Sequence, residues 1–225
     1  MPRPARQDIL GDGDCTVHLT IRCHDKRFLL ADDQTKQLLY NLLKKHKSDC
    51  NIKIHHYVFM DNHFHIVLHA AHTHLLSRFM SLVFSSLARF VNKHLQRSGR
   101  VFGERARTPV IMDRKYMFCV MRYIDFNPVR ANIADKPHRY KWSSYRHYAF
   151  GEPDELIDDA PDYLDLSPLP PVRRKMYRQM LLRLEARGRH RLPEMVTWFF
   201  IGDSDWILLM LKQRGLLPEK KKPPG

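Results

Sequence analysis

Cysteine is sparse, at 4 residues in 225, and Cys15, Cys23, Cys50 and Cys119 form no CxxC pair. That spacing argues against a zinc knuckle and a disulfide framework, and it fits a reduced, cytoplasmic setting. No apolar run approaches the length of a bilayer-spanning helix, so no membrane partner is expected. The opening MPRPARQDILGDG lacks an apolar core of secretory type, so no leader is expected there. No internal repeat is visible. Acids are in deficit, 24 Asp+Glu against 38 Lys+Arg, which leaves a formal charge of +14 with 14 His counted as neutral. A polyanion, most often nucleic acid, fits that balance; solubility alone is the plainer explanation. Hydrophobic residues at 44% and aromatics at 11% supply enough apolar side chain for a core.

The charge is unevenly spread. Arg97 to Arg146 holds twelve Lys and Arg against Glu104, Asp113, Asp125 and Asp135. Glu152 to Asp165 then holds seven acids and no Lys or Arg, and prolines punctuate it and the residues that follow. This composition predicts an acidic, Pro-rich linker over residues 152–171 between a domain at 1–151 and a helical extension at 172–217. The linker is expected to fold over the basic face and compete with a polyanion. Val172 to Arg191 carries eight Lys and Arg, with Met176, Met180, Leu181 and Leu184 at helical spacing, as a ligand-facing basic helix or one packed by a single stripe. Asp203 or Ser204 can cap a further apolar helix. Residues 218–225, rich in Lys and Pro, read as a disordered tail.

Within the first domain, Thr16 to Arg22 alternates, with Val17, Leu19 and Ile21 on one side and Thr16, His18, Thr20 and Arg22 on the other. That is the pattern of a half-buried strand. Asp32 or Asp33 can cap a helix bearing Leu38, Leu39, Leu42 and Leu43. Ile52–Met60 and Phe64–His69 read as strands joined by an Asp61-Asn62 turn. A helix over His74–Gln96, a short strand over Pro109–Met112 and a helix over Arg114–Phe126 follow. The order β-α-β-β-α-β is that of a ferredoxin-like α+β fold with an antiparallel sheet and helices on one face.

Two segments carry candidate chemistry. In a strand, His63 and His65 project to the same side, roughly 6–7 Å apart at their Cα atoms. Two imidazoles so placed can converge on a divalent metal, while Phe64, Ile66 and Leu68 anchor the strand from the other face. Surface strands also carry such pairs by chance. On a helix, Tyr123 and Asn127 lie four residues apart and face one partner. A phenol can attack phosphorus and form a covalent phosphotyrosine, and the amide of Asn127 offers a further metal ligand. A packed helix tyrosine is the alternative for Tyr123. Pro128 weakens the helical placement of Asn127.

The segments MDNHFHIVL, RVFGERARTPVIMDRKYMF, RYIDFNPVRA and YKWSSYRHY, in that order, resemble the REP-associated tyrosine transposases. These form a single-tyrosine branch of the HUH nucleases, related to the transposases of the smallest insertion sequences. The resemblance runs over about Met1 to Gly151 and includes the opening MPRPAR and the strand around His18. It implies a ferredoxin-like domain with the histidine pair His63 and His65 on a strand, the nucleophile Tyr123 on a following helix, and Asn127 beside the metal. It further implies Mg²⁺ or Mn²⁺, and cleavage of single-stranded DNA near the foot of hairpins in repetitive extragenic palindromes. The product is a 5′-phosphotyrosine and a free 3′-hydroxyl. A bacterial, nucleoid-associated monomer acting in cis follows, with a dimer sharing Tyr123 in trans as the alternative. Arg105, Arg107, Arg114, Lys115, Arg122 and Arg130 are expected to hold phosphates. Pairing with Asp125 is the other reading of Arg130. Phe102, Trp142, Tyr145 and Tyr148 are candidates for base stacking or for the core.

Two departures from the family pattern stand out. Asp61 replaces a usual Pro, as a turn residue or an added carboxylate near the metal, and Glu104-Arg105-Ala106-Arg107 replaces a stretch containing Gly and Phe. The competing functions are a hairpin-binding regulator with little catalysis, another HUH class such as a replication initiator or relaxase, and a metal hydrolase without a tyrosyl intermediate.

Overall fold

In the computed structural model, which describes residues 5–186 and 199–216, a short helix α1 (Arg6–Leu10) leads into the alternating strand β1 (Cys15–Arg22). Asp32 starts α2 (Asp33–Asp49) by accepting the Thr35 N–H at 2.8 Å. The strands β2 (Ile52–Phe59) and β3 (His63–Ala70) form a hairpin around Asp61-Asn62. Then come α3 (Thr73–His94), β4 (Val110–Ile111) and α4 (Arg114–Asp125), the last capped by Asp113 on the Tyr116 N–H at 3.1 Å. The remaining elements are α5 (Asn127–Arg130), α6 (Tyr145–Phe150), α7 (Pro161–Leu164), α8 (Pro170–Ala186), β5 (Phe200–Ile201) and α9 (Ser204–Gln213).

The strands lie in the order β2-β3-β1-β4-β5. The first four are antiparallel and give the expected ferredoxin-like order, in which each crossover helix skips one strand. Phe64, Ile66 and Leu68 are fully buried, and the Phe64 ring meets Phe84 of α3 at 5.8 Å. Helix α4 lies on the other face, where His63 and His65 point. It therefore covers the polar side of β1 as well, and His18 is only 3% exposed in a strand expected to be half-buried.

The extension is not helical throughout. β5 joins the sheet as a fifth strand, parallel to β4, through Val110↔Phe200 and Ile111↔Ile201. Asp203 caps α9 by accepting the Trp206 N–H. Helix α8 packs through Tyr177 and Leu181, whereas Met176 of the expected stripe is exposed; the Leu184 side chain and residues 218–225 lie outside what is described.

Residues 152–171 are packed against the domain instead of linking two. Leu156 and Ala160 are fully buried and Tyr163 nearly so. Asp154 accepts from the hydroxyls of Tyr40 and Tyr57, both at 2.8 Å. Asp158 accepts from the Ile54 N–H and from Lys47 Nζ, both at 2.9 Å. Glu155 and Asp158 of this segment meet Lys44 and Lys47 of α2, and the segment covers the β2 edge of the sheet. Trp142, Tyr145 and Tyr148 are buried too, so they serve the core and not base stacking.

Candidate active site

The rings of His63 and His65 have centroids 5.0 Å apart and planes at 88°. Their neighbours hold them differently. His63 Nδ1–H donates to Asn62 Oδ1 at 2.6 Å, and the Asn127 side chain hydrogen-bonds the same ring. His65 Nδ1 lies 2.9 Å from Thr20 Oγ1 and 3.0 Å from His18 Nε2. Both partners come from β1, whose register sets Thr20 opposite His65. The His18 ring stacks on His65 at 5.0 Å. The other nitrogen of His65, Nε2, is buried with no hydrogen-bond partner. An orphaned buried lone pair is rare and fits a site meant for a Lewis acid.

Burial, followed by the positive charge of Arg22, pulls the His63 pKa down to about 4. Burial, then His56, pulls His18 to about 3, and burial, then His18, sets His65 well below the ordinary imidazole value. All three rings are therefore neutral at neutral pH, the form that binds metal. Among the described residues no group of three His, Cys, Asp or Glu could hold a metal ion, and the other donor beside the His63 ring is the Asn127 side chain.

Tyr123, near the end of α4, meets His65 edge-on at 5.4 Å and His18 at 6.1 Å. The Arg130 guanidinium sits 4.4 Å above the Tyr123 ring and donates to the Tyr123 carbonyl, so α5 folds back over the tyrosine. Asn127 reaches His63 although α4 ends at Asp125. Pro128 is the second residue of α5, whose first turn is the tolerated place for proline.

A cleft of about 620 Å³ opens on His18, His65 and Tyr123, with Arg22, Lys26, Arg105 and Arg107 among its walls. No residue of the acidic segment lines it, so that segment does not cover the site as expected. Of the six cations expected to hold phosphates, Arg105 and Arg107 stand in the cleft wall and Arg130 on the tyrosine. Arg114 and Lys115 are exposed at the opposite end of α4, about 12–14 Å along the helix from Tyr123. Arg122 is 2% exposed and does not reach the surface. Asp125 bonds His56 and Tyr177, and the Arg130 guanidinium lies on the Tyr123 ring. Asp61 is a turn residue engaged by Lys36 of α2 at 2.6 Å, and its negative charge also bears on His63.

Sequence reasoning passed over His18, Thr20, Arg22 and Lys26 as site residues. For His18, Thr20 and Arg22 the signal was present in the polar side of β1. What was missing was the strand pairing that puts that side beside His65.

Residues 13–124 match the family described as transposase, IS200-like. The fold is similar to that of a REP-associated tyrosine transposase solved bound to a REP hairpin, at 18% identity and a TM-score of 0.52, over 66% of this chain and 87% of that one. A proposed transposase from Deinococcus radiodurans r1 is similar at 15% identity and a TM-score of 0.38, over 59% of this chain and 92% of that one. No curated protein matches the chain. Among the described residues no helix is long and apolar enough to cross a membrane.

Proposed function

Since residues 13–124 belong to the IS200-like transposase family, we propose that this chain cuts and rejoins single-stranded DNA at hairpins through a covalent 5′-phosphotyrosine at Tyr123. The observation that carries this reading is the approach of Tyr123 to His65, whose buried Nε2 has no partner. The Tyr123 oxygen, on losing its proton, attacks the scissile phosphorus; a Tyr–O–P bond forms, the bond from phosphorus to the 3′ oxygen breaks, and that oxygen takes up a proton. The 3′-hydroxyl can return along the same path and rejoin the strand. Arg130 places positive charge over the tyrosine, where the phosphate must lie, and Arg22, Lys26, Arg105 and Arg107 hold the strand by its phosphates. His63, His65 and Asn127 would hold Mg²⁺ or Mn²⁺. When bound, the ion polarises the scissile phosphate. Magnesium usually keeps waters and substrate oxygens as ligands, so so few protein donors suit it. One chain brings the histidines and the tyrosine together, which supports a monomer cleaving in cis.

The test is to incubate the protein with a panel of single-stranded hairpins and Mg²⁺ or Mn²⁺ and to look for a covalent protein–DNA adduct. The wild type forms it; Tyr123→Phe forms none yet still binds. An adduct in Tyr123→Phe, or none in the wild type on any hairpin, overturns the mechanism. The second result, with binding retained, leaves a hairpin-binding protein.

A further inference from the structure

Taking the reading of His65 as a metal ligand as given, we propose that His18 and Thr20 are positioning residues that hold His65 in its Nδ1–H tautomer and leave the Nε2 lone pair for the site. Two ring nitrogens 3.0 Å apart, His18 Nε2 and His65 Nδ1, share one proton between them. If His18 supplies it, the proton of neutral His65 sits on Nε2, where a buried N–H has no acceptor. If His65 supplies it, Nδ1–H has His18 Nε2 as one acceptor and Thr20 Oγ1, at 2.9 Å, as another. The Thr20 hydroxyl is then free to donate to His18 Nε2 at 3.4 Å, which closes a triangle of compatible polarity.

The surroundings favour the second arrangement. Arg22 lines the same cleft, and it and Arg130 bear electrostatically on His65; positive neighbours favour a lone pair over an N–H dipole. The neighbouring ring is polarised the same way, since His63 Nδ1–H donates to Asn62 Oδ1 at 2.6 Å. Both imidazoles thus keep their protons on Nδ1, against the Nε2–H preference of a free histidine side chain in water. The nitrogen that carries the proton is set by the hydrogen bond it makes. His18 suits the task because its ring is buried, stacked on its target and itself neutral, so it can accept.

The experiment is long-range ¹⁵N–¹H correlation NMR of the histidine side chains in the metal-free protein, at a pH where the imidazoles are neutral. Wild-type His65 shows a protonated Nδ1 and a bare Nε2. His18→Phe combined with Thr20→Val preserves shape and removes both acceptors, so His65 shifts toward Nε2–H and Mn²⁺ affinity falls about 10–100-fold. In His18→Gln, whose amide oxygen still accepts, the tautomer is kept and most of the affinity returns. Thr20→Val alone perturbs the His65 ¹⁵N shifts and serves if the double variant does not fold. An Nε2–H tautomer in the wild type overturns the proposal, as does an unchanged tautomer in the double variant. If the tautomer is as stated but neither Mn²⁺ nor Mg²⁺ binds, the positioning role stands and the metal reading of the site falls.

Discussion

Helix α4 rests on two buried histidine clusters, one at Tyr123 and one two residues on, at Asp125. At Asp125, His56 Nε2 donates to one carboxylate oxygen at 2.8 Å and the Tyr177 hydroxyl to the other at 2.6 Å. The Ser144 hydroxyl lies 2.9 Å from His56 Nδ1. Each polar side-chain atom in that group has a partner. At Tyr123, His65 is buried almost as deeply and keeps one nitrogen bare. Buried polar groups are normally satisfied, so the closed cluster reads as a strut and the open one as a socket. The same residue types build both clusters, and what separates them is one ring nitrogen without a partner.

The contrast breaks most sharply under urea. Asp125→Ala orphans two buried donors at about 1–3 kcal/mol each, a large part of the roughly 5–15 kcal/mol that holds a typical domain. Tyr177→Phe removes one donor and costs about 1–3 kcal/mol, whereas Tyr123→Phe stays within about 0.5 kcal/mol of wild type. Equal midpoint shifts for the two Tyr→Phe variants would erase the distinction. A smaller effect belongs to the cleft walls. Arg105→Gln and Arg107→Gln should each flatten the slope of log affinity against log salt for single-stranded DNA by about 0.7. Arg122→Gln should leave the slope alone, because Arg122 is buried.

The smallest effect concerns the acidic segment. Burial lowers the His147 pKa, but the hydrogen bond and charge of Asp159 outweigh it and leave it raised; Asp159 is lowered, chiefly by that hydrogen bond from His147. The contribution of His147 is complete below its unfolded value of about 6.5 and is lost as pH rises through the folded one. That of Asp159 is complete above its unfolded value of about 3.9 and is lost as pH falls through the folded one. Hydrogen exchange at Leu156–Tyr163, corrected for its intrinsic pH dependence, should therefore be slowest under mildly acidic conditions. His147→Gln should flatten that profile; an identical profile in the variant would show that the pair holds nothing down.

Elements from β1 to α4 were legible within a residue or two, because alternation, helical spacing and the Asp caps are local signals. The His63 and His65 pair was legible for the same reason: two residues along a strand is a fixed geometry. His18 and Thr20 were not, since their role depends on β1 pairing with β3, across more than forty residues of chain. Arg122 misled because α4 is packed against β2, β3, α5 and α8, and no one of those contacts is visible in the sequence of α4 alone. The acidic run misled because its partners, Lys44 and Lys47 of α2, lie about a hundred residues earlier. Strand β5, with two residues, is too short to show a period.

The Tyr177–Asp125 bond spans 52 residues of chain. On a ribosome adding about 5–20 residues per second, the helix that carries Tyr123 and Asp125 emerges some 3–10 s before the tyrosine that bonds it. A nascent chain thus carries His56 and Asp125 before the Tyr177 hydroxyl can join them. The cluster at Asp125 is therefore closed only once α8 has been made.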